Sequence, residues 1–333
     1  MTPLRPTEFE LIAKYFAPLS APNAFGLLDD AAIVTPPAGH DLVITKDMLV
    51  AGIHFFEADP PEAIAAKALR VNLSDLAAKG ATPLGFMLGL ALPENWQPEW
   101  VERFATGLGY NIETYNCPLY GGDTVRASGG LTLSITAFGT VPTGKMVRRT
   151  TMQVGDSIYV SGTIGDSALG LKIRKSPNRA NLQKQLKREE SDYLLNRYLL
   201  PQPRVELSDA ILRYASACMD VSDGFIGDLT KMLNANTLCL SLDAISIPLS
   251  KAAKNAVSVD PELLKLALTG GDDYELLVAV PPDDTQAFEQ AVKKLQTPVK
   301  YLGVAKQAES VTLEIRDKKG LPIIFNTKSY THF

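Results

Sequence analysis

In six places an aspartate stands where an apolar run breaks off, mostly beside glycine or another small residue. They are Leu28-Asp29-Asp30-Ala31, Val43-Ile44-Thr45-Lys46-Asp47, Asn72-Leu73-Ser74-Asp75, Tyr120-Gly121-Gly122-Asp123, Met219-Asp220-Val221-Ser222-Asp223-Gly224 and Gly270-Gly271-Asp272-Asp273. Carboxylates at strand ends and loop tips are the usual ligands of hard cations such as Mg²⁺, which takes oxygen donors in close octahedral geometry. Adjacent glycine lets the backbone approach a phosphate or adopt φ > 0. One such aspartate is ordinary turn chemistry. Six together predict a multi-metal site for a polyphosphate.

The rest of the composition narrows the setting. At 333 residues the chain is long enough for two domains, each with its own core. No run of 18 apolar residues occurs, so no transmembrane helix is expected. The opening Met1-Thr2-Pro3-Leu4-Arg5-Pro6-Thr7-Glu8 lacks the apolar core of a signal peptide. Cys117, Cys218 and Cys239 are odd in number and widely spaced, which argues against a disulfide framework and a zinc knuckle. A cytoplasmic protein is expected. Net charge is −4 with no long basic run, so no nucleic-acid footprint is expected. A mildly acidic protein that handles phosphates must neutralise them with metal ions, as the aspartates suggest.

Periodicity predicts alternating strands and helices, hence α/β or α+β layers in both halves. Thr7-Glu8-Phe9-Glu10 reads as a capping box, with Phe9, Ile12, Tyr15 and Phe16 following at helical spacing. Leu42–Thr45 reads as a short buried strand ending at Asp47. Pro61 opens a long helix stopped by Gly80, with Asn72 and Asp75 on one face. Strands are expected over Leu84–Leu92, Leu119–Tyr120, Leu131–Val141 and from Ser157, and a helix over Pro98–Tyr115. The polar, basic stretch Pro142–Thr151 marks a domain boundary, giving an N-terminal domain over 1–148 and a C-terminal domain over 149–333. Beyond it, helices are expected over Ser167–Ile173, Ser191–Leu199, Val205–Ala217 and Gly224–Leu233, with a strand at Cys218–Val221. Arg174–Glu190 reads as an exposed polar excursion.

Several motifs carry two readings. Gly139-Thr140-Val141-Pro142-Thr143-Gly144-Lys145-Met146 nearly spells a P-loop, but Met146 replaces the metal-binding Ser/Thr and no helix start follows, so a turn leaving a strand is preferred. Gly162-x-x-Gly165-Asp166-Ser167 could bind an anion on its amides, although a tight strand-to-helix turn needs such glycines anyway. Asp223 could simply cap the next helix, which leaves Asp220 ending a buried strand with no compensation other than a cation. Gly121-Gly122-Asp123 could be a hairpin corner, and Asp75 a solvated helix residue. His54, close after Asp47, is either a core or edge histidine or a ligand contact; His40 and His332 carry no signal of their own. No Ser-His-Asp or Cys-His constellation is visible.

The ordered motifs resemble the thiamine-monophosphate kinase family, in the superfamily of aminoimidazole ribonucleotide synthetase, selenophosphate synthetase and a hydrogenase maturation factor. The resemblance runs from about Glu8 to Phe333. It rests on Glu8–Ile12, Asp29–Ala32, Asp47–Phe55, Lys67–Ala81, Gly121–Thr124, Asp220–Gly224, Gly270–Leu276 and the terminal Tyr330-x-His332-Phe333. It implies ATP-dependent phosphorylation of thiamine monophosphate to thiamine diphosphate, the last step of that coenzyme's synthesis, with several Mg²⁺ ions. It also implies an N-terminal α/β domain whose sheet completes a barrel-like homodimer, and a C-terminal α/β domain closing over the nucleotide. By the same resemblance Asp30, Thr45, Asp47, Asp75, Asp123, Asp220 and Asp223 match the metal shell. Gly122, Asp123, Arg149 and Ser222 match nucleotide contacts, and His54, Asp272 and Tyr330 match positions facing the thiamine phosphate. No covalent nucleophile or general base is expected, because a phosphate acceptor with its second pKa near about 6 is already largely ionised at neutral pH. Three positions depart from the family pattern. Gly26-Leu27-Leu28 stands for the usual Gly-Ile-Gly, Lys46 for the usual Thr, and Asp272 for the usual, longer Glu. Selenophosphate synthesis is disfavoured, since no cysteine precedes Cys117.

Overall fold

The computed structural model describes residues 5–175, 182–308 and 312–331. Within them the chain forms two compact units, one reaching Leu76 and resuming over Ala81–Met146, the other made of Ala77–Gly80 with Val147 onward.

In the first unit the capping box at Thr7 forms, its hydroxyl accepting from Glu10 N while the Glu10 carboxylate accepts from Thr7 N, and it opens a short helix α1 (Glu8–Leu11). The chain then widens into a π-helical turn over Ile12–Phe16 and tightens into a 3-10 turn over Ala17–Leu19; Leu11, Tyr15 and Phe16 are buried whereas Phe9 faces solvent. Next come β1 (His40–Val50), α2 (Pro61–Ala78), β2 (Thr82–Leu92), α3 (Pro98–Tyr115), β3 (Leu119–Arg126) and β4 (Thr132–Pro142). The strands make one sheet in the order β1-β4-β2-β3. Alternate residues along β1, β4 and β2 are buried, so one face of the sheet is covered. Helix α2 meets that face where Thr45 Oγ1 donates to Asp75 Oδ2 at 2.5 Å. Gly80, at φ +66°, ends α2, and Ala81 N donates back to Leu76 O, as a left-handed C-terminal cap requires.

Two strands run further than the sequence suggests. Strand β1 continues past Asp47, and β3 runs through Gly121-Gly122-Asp123, which is therefore no hairpin corner. Both are edge strands, and their length is set by pairing with β4 and β2. The P-loop-like segment is the end of β4 followed by a turn whose Gly144 N donates to Asp41 Oδ2.

The second unit contains β5 (Ser157–Ser161), α4 (Asp166–Lys175), α5 (Leu182–Gln185), α6 (Arg188–Leu199), α7 (Ser208–Tyr214), β6 (Ala217–Asp220), α8 (Phe225–Asn234) and β7 (Leu238–Asp243). It continues with α9 (Lys251–Val259), α10 (Leu263–Thr269), β8 (Leu276–Val280), α11 (Thr285–Val292), β9 (Val299–Val304), β10 (Lys306–Gln307) and β11 (Leu313–Arg316). One antiparallel sheet has the order β6-β8-β5-β9 and a second the order β10-β7-β11. Ala217 belongs to β6 rather than to the preceding helix. The expected excursion at Arg174–Glu190 is in part packed structure, since Leu186 and Glu190 are buried and Asn255 Nδ2 donates to Glu190 Oε1; residues 176–181 lie outside the described residues.

A buried ionic network anchors this unit. Glu275 is inaccessible to solvent and accepts from Arg197 Nη2 at 2.9 Å, from Ser161 Oγ at 2.6 Å and from two nitrogens of Arg204. Gly162, at φ +55°, lies directly against this carboxylate, where an added Cβ would come within 2.1 Å of Oε1. Three residues on, Gly165 N donates to Asp273 Oδ2 at 2.8 Å, and Asp273 Oδ1 has no hydrogen-bond partner. The Gly162–Gly165 turn thus receives the protein's own carboxylates, which bears out its structural role.

Two outcomes follow from this network. Gly162→Ala should destabilise by about 3–5 kcal/mol, as when a buried ion pair is broken, and denaturant unfolding would measure it. Burial pushes the Asp273 carboxyl well above the usual carboxylate range, Asp166 and Glu275 adding to the effect while the Gly165 amide and Arg197 oppose it. The folded chain therefore keeps a proton that the unfolded chain has released, and stability falls as pH rises through that window. Asp273→Asn removes the titration, so its Tm should gain on that of the natural protein as pH rises from about 4 towards neutrality. A gap that stays constant with pH would show that the carboxyl ionises freely.

Candidate active site

The predicted residues of the first unit fall into two groups on opposite edges of its sheet. On β1, Thr45 and Asp47 share the covered face, and Asp75 joins them from α2 through its bond with Thr45. Three residues before Asp75, Asn72 is fully buried; its Nδ2 donates to Ala68 O and its Oδ1 has no hydrogen-bond partner. Lys46 points to the other face and donates to Ser134 Oγ at 2.6 Å. His54 follows in the turn after β1. Val50 N donates to His54 Nδ1 at 3.0 Å, so the neutral ring carries its proton on Nε2, and Lys67 Nζ donates to the His54 carbonyl.

The second group gathers at β3. A cavity of about 300 Å³ is lined by Glu8, Asp29, Asp30, Gly121, Gly122 and Asp123 among others. Gly122 has no room for a side chain, since a Cβ would fall 1.8 Å from Leu88 O. The loop leading to Asp29 passes through Phe25, Gly26 and Leu27 at φ of +53°, +66° and +58°. Two of these carry side chains in the left-handed region, a conformation costing of order 1–3 kcal/mol each. Leu28, which stands for the second of the usual glycines, follows this strained stretch at an ordinary φ of −97°. A larger cavity of about 490 Å³, lined by Glu57, Trp96 and Trp100 among others, holds none of the predicted residues.

In the second unit three segments are drawn together by main-chain hydrogen bonds. Val221 N donates to Glu275 O, Tyr274 N to Val221 O, Asp272 N to Ser222 O and Tyr330 N to Asp223 O, all within 2.7–2.9 Å. Asp220, Ser222, Asp223, Asp272 and Tyr330 thus share one region. Asp272 and Tyr274 flank Asp273 at φ +69° and +52°, and Tyr274 Oη donates to Asp272 Oδ1 at 3.1 Å. Asp220 is nearly buried at the end of β6. Asp223 does not cap α8 with its side chain. Instead, buried Asp228 accepts from Asp223 N at 2.8 Å, while the Asp223 carboxylate meets Lys231 Nζ at 2.6 Å. Arg149 is exposed, its carbonyl accepting from Asn236 Nδ2. His332 lies outside the described residues.

In each unit the donors suit a hard cation: carboxylate and hydroxyl oxygens with an orphaned buried amide oxygen at Asn72 in the first, and the carboxylates of Asp220 and Asp223 in the second. Among the described residues no three His, Cys, Asp or Glu side chains come close enough together to hold a metal by themselves. Mg²⁺ is commonly held by one or two carboxylates, with water and substrate phosphate filling its octahedron. Sequence reasoning missed Asp228 and Lys231, although their spacing of three on a helix is a recognisable ion-pair signal. It also gave no site role to Tyr274 and Glu8, although both lie within the motifs Gly270–Leu276 and Glu8–Ile12.

Comparison with known proteins follows the same lines. The family model for AIR synthase related protein, N-terminal domain, matches residues 28–141, and that for the C-terminal domain matches residues 153–316. The thiamine-monophosphate kinase of Salmonella typhimurium is 39% identical over 332 residues, covering 98% of each chain. The crystal structure of thiamine-monophosphate kinase from Stenotrophomonas maltophilia aligns with a TM-score of 0.78 at 37% identity, covering 87% of this chain and 89% of that one. AaThiL, solved in complex with AMPPCP and TMP, aligns with a TM-score of 0.76 at 28% identity, covering 98% and 94%. No described helix is long and apolar enough to cross a membrane. With two family models spanning most of its length and near-complete coverage of these relatives, the chain belongs to the thiamine-monophosphate kinase family of AIR synthase related proteins.

Proposed function

We propose that this protein transfers the γ-phosphoryl group of ATP directly to thiamine monophosphate, giving thiamine diphosphate and ADP, with Mg²⁺ as cofactor and as a homodimer. The observation that carries this reading is the full-length likeness to thiamine-monophosphate kinases, together with a relative of the same fold bound to AMPPCP and TMP. Asp30, Thr45, Asp47, Asp75, Asp123, Asp220 and Asp223 are the metal-holding residues in this reading. Bound Mg²⁺ offsets the repulsion of two phosphate anions, which for unit charges at 4 Å is about 1 kcal/mol in water and about 4 at an effective dielectric of 20. Gly122, Asp123, Arg149 and Ser222 hold the nucleotide. His54, Asp272 and Tyr330 orient the thiamine phosphate, with Tyr274 steadying the Asp272 carboxylate. No side chain need take a proton, because the attacking oxygen is already ionised. Alignment and charge stabilisation then suffice for in-line transfer.

Two features support the homodimer. The uncovered face of the first unit's sheet exposes Ile44, Met48 and Met87, apolar side chains that a second sheet would cover. Also, β1 and β3 are opposite edges, and three strand spacings of about 4.8 Å put them roughly 14 Å apart. Closing two such sheets into a barrel with the two-fold axis along it sets β1 of one copy beside β3 of the other. The Asp47–Asp75 group of one chain then adjoins the Asp30–Asp123 group of its partner.

Purified protein with saturating Mg²⁺ and ATP should convert thiamine monophosphate to thiamine diphosphate on chromatography; no product would overturn the assignment. Asp75→Asn and Asp123→Asn should each lower kcat by about 100-fold or more. Mixed and allowed to exchange subunits, the two dead variants should recover about a quarter of natural activity, since half the dimers would be mixed and each would hold one intact site. No recovery despite proven exchange would place both aspartates of a site on one chain.

A further inference from the structure

Asp223, which the proposed function makes a metal ligand, already holds a cation of the protein's own. Lys231 Nζ lies 2.6 Å from Asp223 Oδ2 and 2.9 Å from Asp228 Oδ1. The two carboxylates differ in kind. Asp228 is buried, three residues before Lys231 on α8, and its second oxygen accepts from Asp223 N, so it is part of the frame. Asp223 is 41% exposed and sits on the loop between β6 and α8, where solvent and ligands reach it. The Lys231 side chain is 43% exposed, and its ammonium bridges a fixed anion and an accessible one.

We propose that Lys231 is a tethered stand-in for the metal ion. In the metal-free protein it neutralises Asp223. When a divalent cation binds there, the ammonium releases Asp223 and remains on Asp228, so the metal binds against an internal competitor. Three other roles of Lys231 would look the same in a static picture: a fixed staple, a general positive field, or no influence on metal at all. The competitor role has a signature that those lack, because its effect depends on the Asp223 carboxylate. An exposed pair of this kind contributes about 0.2–1 kcal/mol, which corresponds to a weakening of metal binding by about 1.5- to 5-fold.

The inference rests on Asp223 being a ligand, and the experiment separates the two claims. Mn²⁺ binding to the full-length protein, with AMPPCP present, is measured by the loss of the free-ion EPR signal for the natural protein, Lys231→Met, Lys231→Arg, Asp223→Asn and the double variant Asp223→Asn/Lys231→Met. Lys231→Met should bind Mn²⁺ about 1.5- to 5-fold tighter, and Lys231→Arg like the natural protein. Asp223→Asn should bind more weakly, and in its background Lys231→Met should give no gain. Unchanged or weaker binding in Lys231→Met, with Asp223→Asn weakened, would overturn the competitor role and leave a staple. A gain that persists without Asp223 would mean a general field effect and overturn it equally. Full binding in Asp223→Asn would instead remove Asp223 from the metal shell. Should Lys231→Met unfold because Asp228 loses its partner, the comparison is made between Asp228→Asn and Asp228→Asn/Lys231→Met, which removes the buried charge and keeps an acceptor for Asp223 N.

Discussion

Glu275 accepts hydrogen bonds from two arginines inside the second unit, and the geometry of the Gly270–Glu275 and Asp220–Asp223 loops depends on that contact. Three buried charges are tolerable only if each is paired and hydrogen-bonded, because taking a lone charge out of water costs several kcal/mol. The pairing fixes the end of the Gly270–Glu275 loop. From there Val221 N, Tyr274 N and Asp272 N carry the constraint across to the Asp220–Asp223 loop. Asp272 and Tyr274 are consequently held in left-handed conformations that an isolated loop would leave. The same carboxylate dictates glycine at position 162, since nothing larger fits against it.

The first unit meets a different constraint. Its aspartates fall into two groups, which the sheet order separates by its whole width. A site distributed in this way avoids the mutual repulsion of clustered carboxylates in the absence of metal. In the proposed homodimer, a partner sheet covering Ile44 and Met48 would also bring the two edges together. In the second unit Lys231 leans across Asp223 and Asp228 and offsets the charge of that pair locally.

Much of this was legible from residue order. Pro98 at a helix start, with the apolar spacing after it, marks α3 to its ends, and Gly80 marks the stop of α2. The motif order identified the family. Local signals do this because capping, turn conformation and burial period act within a few residues of the chain. The strand limits at Asp47 and Asp123 were less legible: whether an edge strand continues depends on a neighbour's register, which local composition does not carry. Asp223 does not cap α8, whose N-terminus has no side-chain cap; the buried Asp228 carboxylate, five residues ahead, accepts instead from the Asp223 amide.

By itself, then, the sequence determined the family, the alternation of strands and helices, and which carboxylates are candidates for chemistry. Those follow from short-range periodicity and residue type. Only the tertiary structure decided that Arg197 and Arg204, 78 and 71 residues before Glu275, hold it in place. It alone set Thr45 on Asp75, put the unit's two aspartate groups on opposite sheet edges, and seated Lys231 on Asp223. Contacts of that range form only once loop closure has been offset by burial of the whole core, and no local feature of the chain records which partners will meet.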